Sequence, residues 1–239
     1  MTTTSYIDPR TLSATARDAA RATACADPST RVTRSLAGYG VIAGPVYVGV
    51  SLAQALTRDG FDLGRHAWSQ LAIGDWGWIQ TANLLATGLM SLAFSVALRR
   101  TLAGGRGGRA VPILVAVFGL GVLLAGVFPA DPAAGFPVGM ATPSTPSLHG
   151  TLHLMTSGVG FLALAVAMVV MAVRYAAERR RGRSAFSVVA AAALLGGFGT
   201  IASGAGAGVA AFTTGIITAL TWLSLLGVDT YTRATYARR

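Results

Sequence analysis

The chain has 239 residues, 53% of them hydrophobic and only 12% charged, with a formal charge of +10 whose basic side is entirely arginine. Soluble domains carry about 25% charged residues, so this composition excludes an ordinary water-soluble domain, and the mean hydropathy of +0.58 agrees. The arginines stand in short clusters between long uncharged runs, which leaves no domain-sized basic face for nucleic acid.

Residues 1–34 are polar and small, with Asp8, Asp18 and Asp27 among arginines. They lack the apolar core of a signal peptide and read as a flexible cytoplasmic tail. Cys25 is the single cysteine, so neither an intramolecular disulfide nor a CxxC metal site exists; it reads as a free thiol.

A helix that crosses a bilayer needs about 20 apolar residues. Residues 35–57, 76–98 and 110–130 carry no formal charge, and 148–173 carry only two histidines. Residues 184–228 are also uncharged, and at about 1.5 Å per residue this run is too long for one crossing. The glycine-rich "SGAGAG" at 203–208 is the natural break. The expectation is an all-α protein with a six-helix membrane domain over 35–228 and a short tail over 229–239. Helices suit a bilayer because they satisfy their own backbone polar groups. Two GxxxG matches, "GVIAG" at 40–44 and "GAGAG" at 204–208, point to close helix packing.

Arginine placement sets the expected orientation. The N-terminal tail, the second and fourth loops and the C-terminal tail together hold 17 of the 19 arginines, leaving Arg58 and Arg65 on the other side. By the positive-inside tendency both termini are cytoplasmic, in a plasma-membrane multi-pass protein. All three histidines then fall on the outer side, with Asp59, Asp62, Asp75 and Asp131.

The loop before the fourth span ends "STPSLHGTLH". Thr145 is the expected cap, with Pro146 the first helical residue. His149 and His153 follow in the first two turns, on a stripe continued by Thr156, Ser157 and Gly160. The second span carries its own stripe, Gln80, Asn83, Thr87 and Ser91. Lipid offers such stripes no hydrogen-bond partners, so they should face the bundle interior. The simplest packing turns the two stripes together around an outward-facing pocket. Gln80 and Asn83 would contact a ligand there, and the loops bearing His66 and Asp131 would roof it.

The runs "SQLAIGDWGWIQTANLLATGLMSLAFSVALRR", "GVLLAGVFPADPAAGFP" and "SLHGTLHL" resemble the bacterial domain-of-unknown-function 998 proteins over residues 36–228. The specific part is the combination of Trp78, Asn83, Phe128, Pro129, Asp131, His149, Gly150 and His153. The resemblance implies a six-helix membrane protein and no activity. A second likeness, to membrane ceramidases and progestin-and-adiponectin-type receptors, lies in the order His66, Asp131, His149, His153. Those proteins hold zinc on three histidines. They have seven spans rather than six, and their HxxxH lies in a late span.

Three functions follow as expectations. The leading one is a non-enzymatic membrane protein that binds, senses or serves as a partner subunit, with a protein partner or a homo-oligomer. The alternative is a zinc-dependent hydrolase acting on a lipid or amphiphile at the outer leaflet. There His66, His149 and His153 would be the ligands and Asp131 the general base. The third is a transporter, which the lack of Asp, Glu, Lys or Arg within any span core disfavours.

Overall fold

The computed structural model describes residues 28–203 and 206–236. These form six helices: α1 (Pro28–Thr57), α2 (Gly77–Thr101), α3 (Ala110–Val127), α4 (Leu148–Ala177), α5 (Arg181–Ala202) and α6 (Gly208–Tyr236). A 3₁₀ turn, Trp68–Ala72, lies between α1 and α2. All six helices are long and apolar enough to cross a membrane, so their surroundings are a lipid bilayer.

The helices form a closed ring. Each packs on its neighbours in chain order, and α6 returns to α1. Small residues let the backbones approach. A Cβ on Gly119 would stand 2.9 Å from the Gly88 carbonyl oxygen of α2, and one on Gly121 would stand 2.6 Å from the Thr156 oxygen of α4. Without a hydrophobic force between helices in lipid, such van der Waals contact holds the ring together. Of the two GxxxG matches, Gly44 lies against the Leu220 backbone of α6, and Gly208 lies against Thr200 of α5.

The two ends of the ring differ. At the arginine-rich end Phe94, Leu98, Val115, Met168, Met171 and Leu223 are fully buried and fill the interior. Ion pairs close that end. Asp229 on α6 lies 2.7 Å from Arg180, 2.9 Å from Arg183 and 3.0 Å from Arg233. Glu178 joins Arg174 and Arg233. Arg34 of α1 donates to the Tyr231 hydroxyl at 2.6 Å and lies over that ring.

The opposite end is roofed by loops. Phe136, from the α3–α4 loop, is buried edge-on against Phe61 of the α1–α2 loop. The Arg58 guanidinium covers the Phe136 ring and donates to the Leu71 and Ile73 carbonyls. The roof is therefore one small core shared by two loops, and the 3₁₀ turn is pinned beneath it.

Several expected boundaries move. Helix α1 begins at Pro28, so residues 28–34 are helical rather than tail; residues 1–27, Cys25 among them, lie outside the described residues. Helix α6 runs on to Tyr236, because Asp229 pairs with arginines instead of needing water. The α5–α6 break falls between Ala202 and Gly208, as the glycine run requires. Helix α4 is capped by Ser147, not Thr145: its hydroxyl accepts the Gly150 N–H at 2.9 Å, and Pro146 stays outside the helix.

Candidate functional site

A cavity of about 410 Å³ opens inside the ring, in the half toward the loop roof. All six helices contribute to its wall, and Trp68 of the 3₁₀ turn lies over it. The wall is mainly aromatic and aliphatic. Phe212 meets Phe161 edge-on at 5.6 Å between centroids and Phe198 at 5.8 Å. Leu154 and Phe198 line the cavity yet are 65% and 39% exposed, so the space reaches the outside of the bundle between α4 and α5. No Asp, Glu, Lys or Arg lines it among the described residues.

His153 is the one histidine on the cavity wall, and it is buried. Its Nδ1 lies 3.0 Å from the Ala125 carbonyl oxygen and 2.8 Å from that of Phe128. Carbonyls only accept, so Nδ1 carries the proton and donates to both. These are carbonyls of the last turn of α3, which have no partner within their own helix. The same tautomer leaves Nε2 as an acceptor.

The other two histidines do not join it. His66 is buried in the roof, where Nδ1 accepts the Asp62 N–H at 2.8 Å and Nε2 donates to the Ala134 carbonyl at 3.2 Å. Both ring nitrogens are thus occupied, Nδ1 within its own loop and Nε2 across to the α3–α4 loop. His149 is exposed, one turn above His153, with its ring 5.8 Å from that of Phe128. Among the described residues no three His, Cys, Asp or Glu side chains come together as metal ligands. The expected zinc set of His66, His149 and His153 is therefore not assembled, because two of its members are held by backbone groups of different elements.

Asp131 braces the start of α4. Its carboxylate accepts the Ser147 N–H at 2.9 Å and lies so close to Gly150 that a Cβ there would collide with it. This contact explains the glycine in "HGTLH": only a residue without a side chain admits the carboxylate. The Ser147 hydroxyl and N–H hold the Asp131 carboxyl below the usual carboxylate range. A depressed pKa in the folded state means that the ionised form stabilises the fold. That stability is present above the unfolded value near 3.8 and is lost as pH falls through the lower folded value. We expect Asp131→Asn to flatten the acid limb of a pH–stability curve measured by thermal unfolding, leaving neutral pH as the place where the variant is weakest relative to the parent.

Gln80 and Asn83 are buried but face α1, not α4. Gln54 Nε2 donates to Gln80 Oε1 at 2.9 Å, Gln80 Nε2 donates to Ser51 Oγ at 3.0 Å, and Asn83 Nδ2 donates to the Tyr47 carbonyl at 3.1 Å. The expected α2–α4 pairing of polar stripes is replaced by an α1–α2 seam, because in the ring α3 stands between α2 and α4. Neither Gln80 nor Asn83 lines the cavity; Thr87, one turn further along the same stripe, does. The stripe was the available signal for Thr87. Nothing in the sequence marked Trp68 as more than a packing residue.

No curated protein matches the chain, and no solved structure does. Residues 41–229 match a family model described as a protein of unknown function, and the match runs from within α1 to within α6, with His66, Asp131, His149 and His153 inside it. The chain therefore belongs to the DUF998 family.

Proposed function

We propose that this protein is a membrane-embedded binding module that takes an apolar or amphiphilic molecule from the bilayer into the cavity beneath the loop roof. The observation that carries the reading is the uncharged, aromatic-walled space with its lateral opening between Leu154 and Phe198. Ligand sites are typically concave and mostly apolar, with a few placed polar groups, and about 300–1,000 Å³ in size. In this reading Gln80 and Asn83 hold the α1–α2 wall, Asp131 holds α4 in place, and His153 both locks α3 to α4 and faces the ligand. The filled interior at the arginine-rich end favours holding a molecule over passing it through. The arginine asymmetry supports placing the loop roof and the cavity on the outer side of the plasma membrane.

The test is photolabelling of the full-length protein in phosphatidylcholine nanodiscs with a diazirine-bearing C16 hydrocarbon. Label is expected on Phe161, Phe198 and Phe212, and Val122→Trp, which fills the cavity, should remove it without lowering the melting temperature. Label restricted to outward residues such as Val159 and Val169, unchanged in that variant, would defeat the reading. For orientation, a cysteine at Gly139 should react with an impermeant maleimide on intact cells. One at Gly105 should react only after permeabilisation, and the reverse result would invert the topology.

A further inference from the structure

The cavity wall is largely apolar, and two of its buried polar groups lack partners. The Trp68 indole N–H is buried, on a residue 3% exposed, and bonds nothing among the described residues. The Thr87 hydroxyl is likewise buried and unpartnered, on a residue 1% exposed. It differs in this from Thr101, Thr156 and Thr218, whose hydroxyls bond carbonyls one turn back. His153, on the same wall, offers Nε2 as an acceptor, because Nδ1 makes the bonds to α3. Buried polar groups are nearly always paired, and each exception calls for an explanation. Here one donor, one acceptor and one hydroxyl able to act as either line the same space.

Their placement gives the space a direction. Trp68 is in the roof, His153 is six residues into α4, and Thr87 is on α2, on the far side of the ring from the α4–α5 opening. The opening itself is flanked by Leu154, Phe161, Phe198 and Phe212. The lining carries no ionised side chain that could neutralise a charged head, and Arg58 above it is already committed to the Leu71 and Ile73 carbonyls. A charge moved there from water would go unpaired, which is strongly unfavourable.

We infer that the ligand is an uncharged amphiphile of the long-chain alcohol class, its hydroxyl among Trp68, Thr87 and His153 and its chain leaving through the α4–α5 gap. This rests on the binding reading above and adds the chemistry of the head. A hydroxyl both donates and accepts, so it can meet the indole N–H and the imidazole nitrogen, which a hydrocarbon leaves unmet. A carboxylate can only accept, and it brings a charge.

The experiment uses the same hydrocarbon photolabel on the full-length protein in phosphatidylcholine nanodiscs at pH 8, with hexadecanol, hexadecane and palmitate as competitors. Hexadecanol should compete about tenfold better than either of the others, the size of effect that one or two hydrogen bonds to buried groups produce. Trp68→Phe and Thr87→Val, which keep the ring and the volume, should each remove most of that advantage while leaving hexadecane unchanged. Equal competition by all three would overturn the assignment of the head and leave the cavity reading standing. So would an alcohol advantage that survives in the double variant. Absence of cavity labelling in the parent protein would instead defeat the binding reading itself.

Discussion

Replacing Asp229 by alanine should destabilise the protein by about 3 kcal/mol, the largest single effect expected outside the cavity. The carboxylate is only 5% exposed and receives Arg180, Arg183 and Arg233 within 2.7–3.0 Å, with the Tyr175 hydroxyl at 3.2 Å. Its removal leaves three guanidinium groups facing one another across the ends of α4, α5 and α6. Breaking a buried pair by deleting one partner costs about 3–5 kcal/mol. The low end applies because the arginine side chains keep 28–38% exposure and so remain partly solvated. Arg180 bonds Asp229 strongly enough that its pKa is raised. Glu178 makes the comparison: burial pushes its carboxyl up, but hydrogen bonds from Arg233 and Arg174 outweigh this and hold it below the usual range. It is 28% exposed, so Glu178→Ala should cost about 1 kcal/mol. Denaturant titration of both variants in one detergent checks the order. Equal losses would mean that burial of Asp229 is not what gives the network its strength.

That network also shows where reading the sequence alone stopped. The arginine clusters were legible as markers of one membrane face, but not as partners, because pairing depends on which helix ends meet. The six spans were legible because charge is so costly in lipid that its absence over 20 residues has few other causes. The ends of α1 and α6 were not, since Arg34, Asp229 and Arg233 look like tail residues until Tyr231, Arg180 and Glu178 are placed beside them. The α2 stripe was legible as a face but not as a neighbour. Periodicity says that Gln80, Asn83 and Thr87 point one way; it does not say whether α1 or α4 lies there. Ring closure decides that, and it depends on contacts such as Gly88 with Gly119, which appear in the sequence only as two glycines among 30.

The histidine motif divides in the same way. Spacing places His149 and His153 on one face of α4, and the structure separates their fates by a single turn: one is exposed beside Phe128, the other buried under α3. A four-residue spacing fixes direction but not depth, and depth turns an imidazole into a helix clamp. The end beneath the cavity is held by buried core side chains and ion pairs, whereas the roof is held by the Phe61–Phe136 contact and by hydrogen bonds through His66, Arg58 and Asp131.

Substitutions at His153 should separate its two roles. His153→Ala removes the donor that serves the Ala125 and Phe128 carbonyls, and should cost about 1–3 kcal/mol through the unpaired carbonyls it leaves. Asparagine carries its amide at the position of Nδ1, so His153→Asn can keep the donation to α3 while removing Nε2 from the cavity. Glutamine reaches to the position of Nε2, so His153→Gln can keep a polar group facing the cavity while the α3 carbonyls go unserved. The expected pattern is crossed. The asparagine variant melts near the parent temperature and loses the preference for hexadecanol over hexadecane, whereas the glutamine variant melts earlier and keeps part of that preference. Thermal unfolding and competition photolabelling on the same preparations read the two effects separately. If asparagine destabilises as much as alanine, the bonds from Nδ1 are not what joins α3 to α4. If the asparagine variant keeps the full alcohol preference, Nε2 does not contact the ligand, and recognition of its head falls to Trp68 and Thr87 alone.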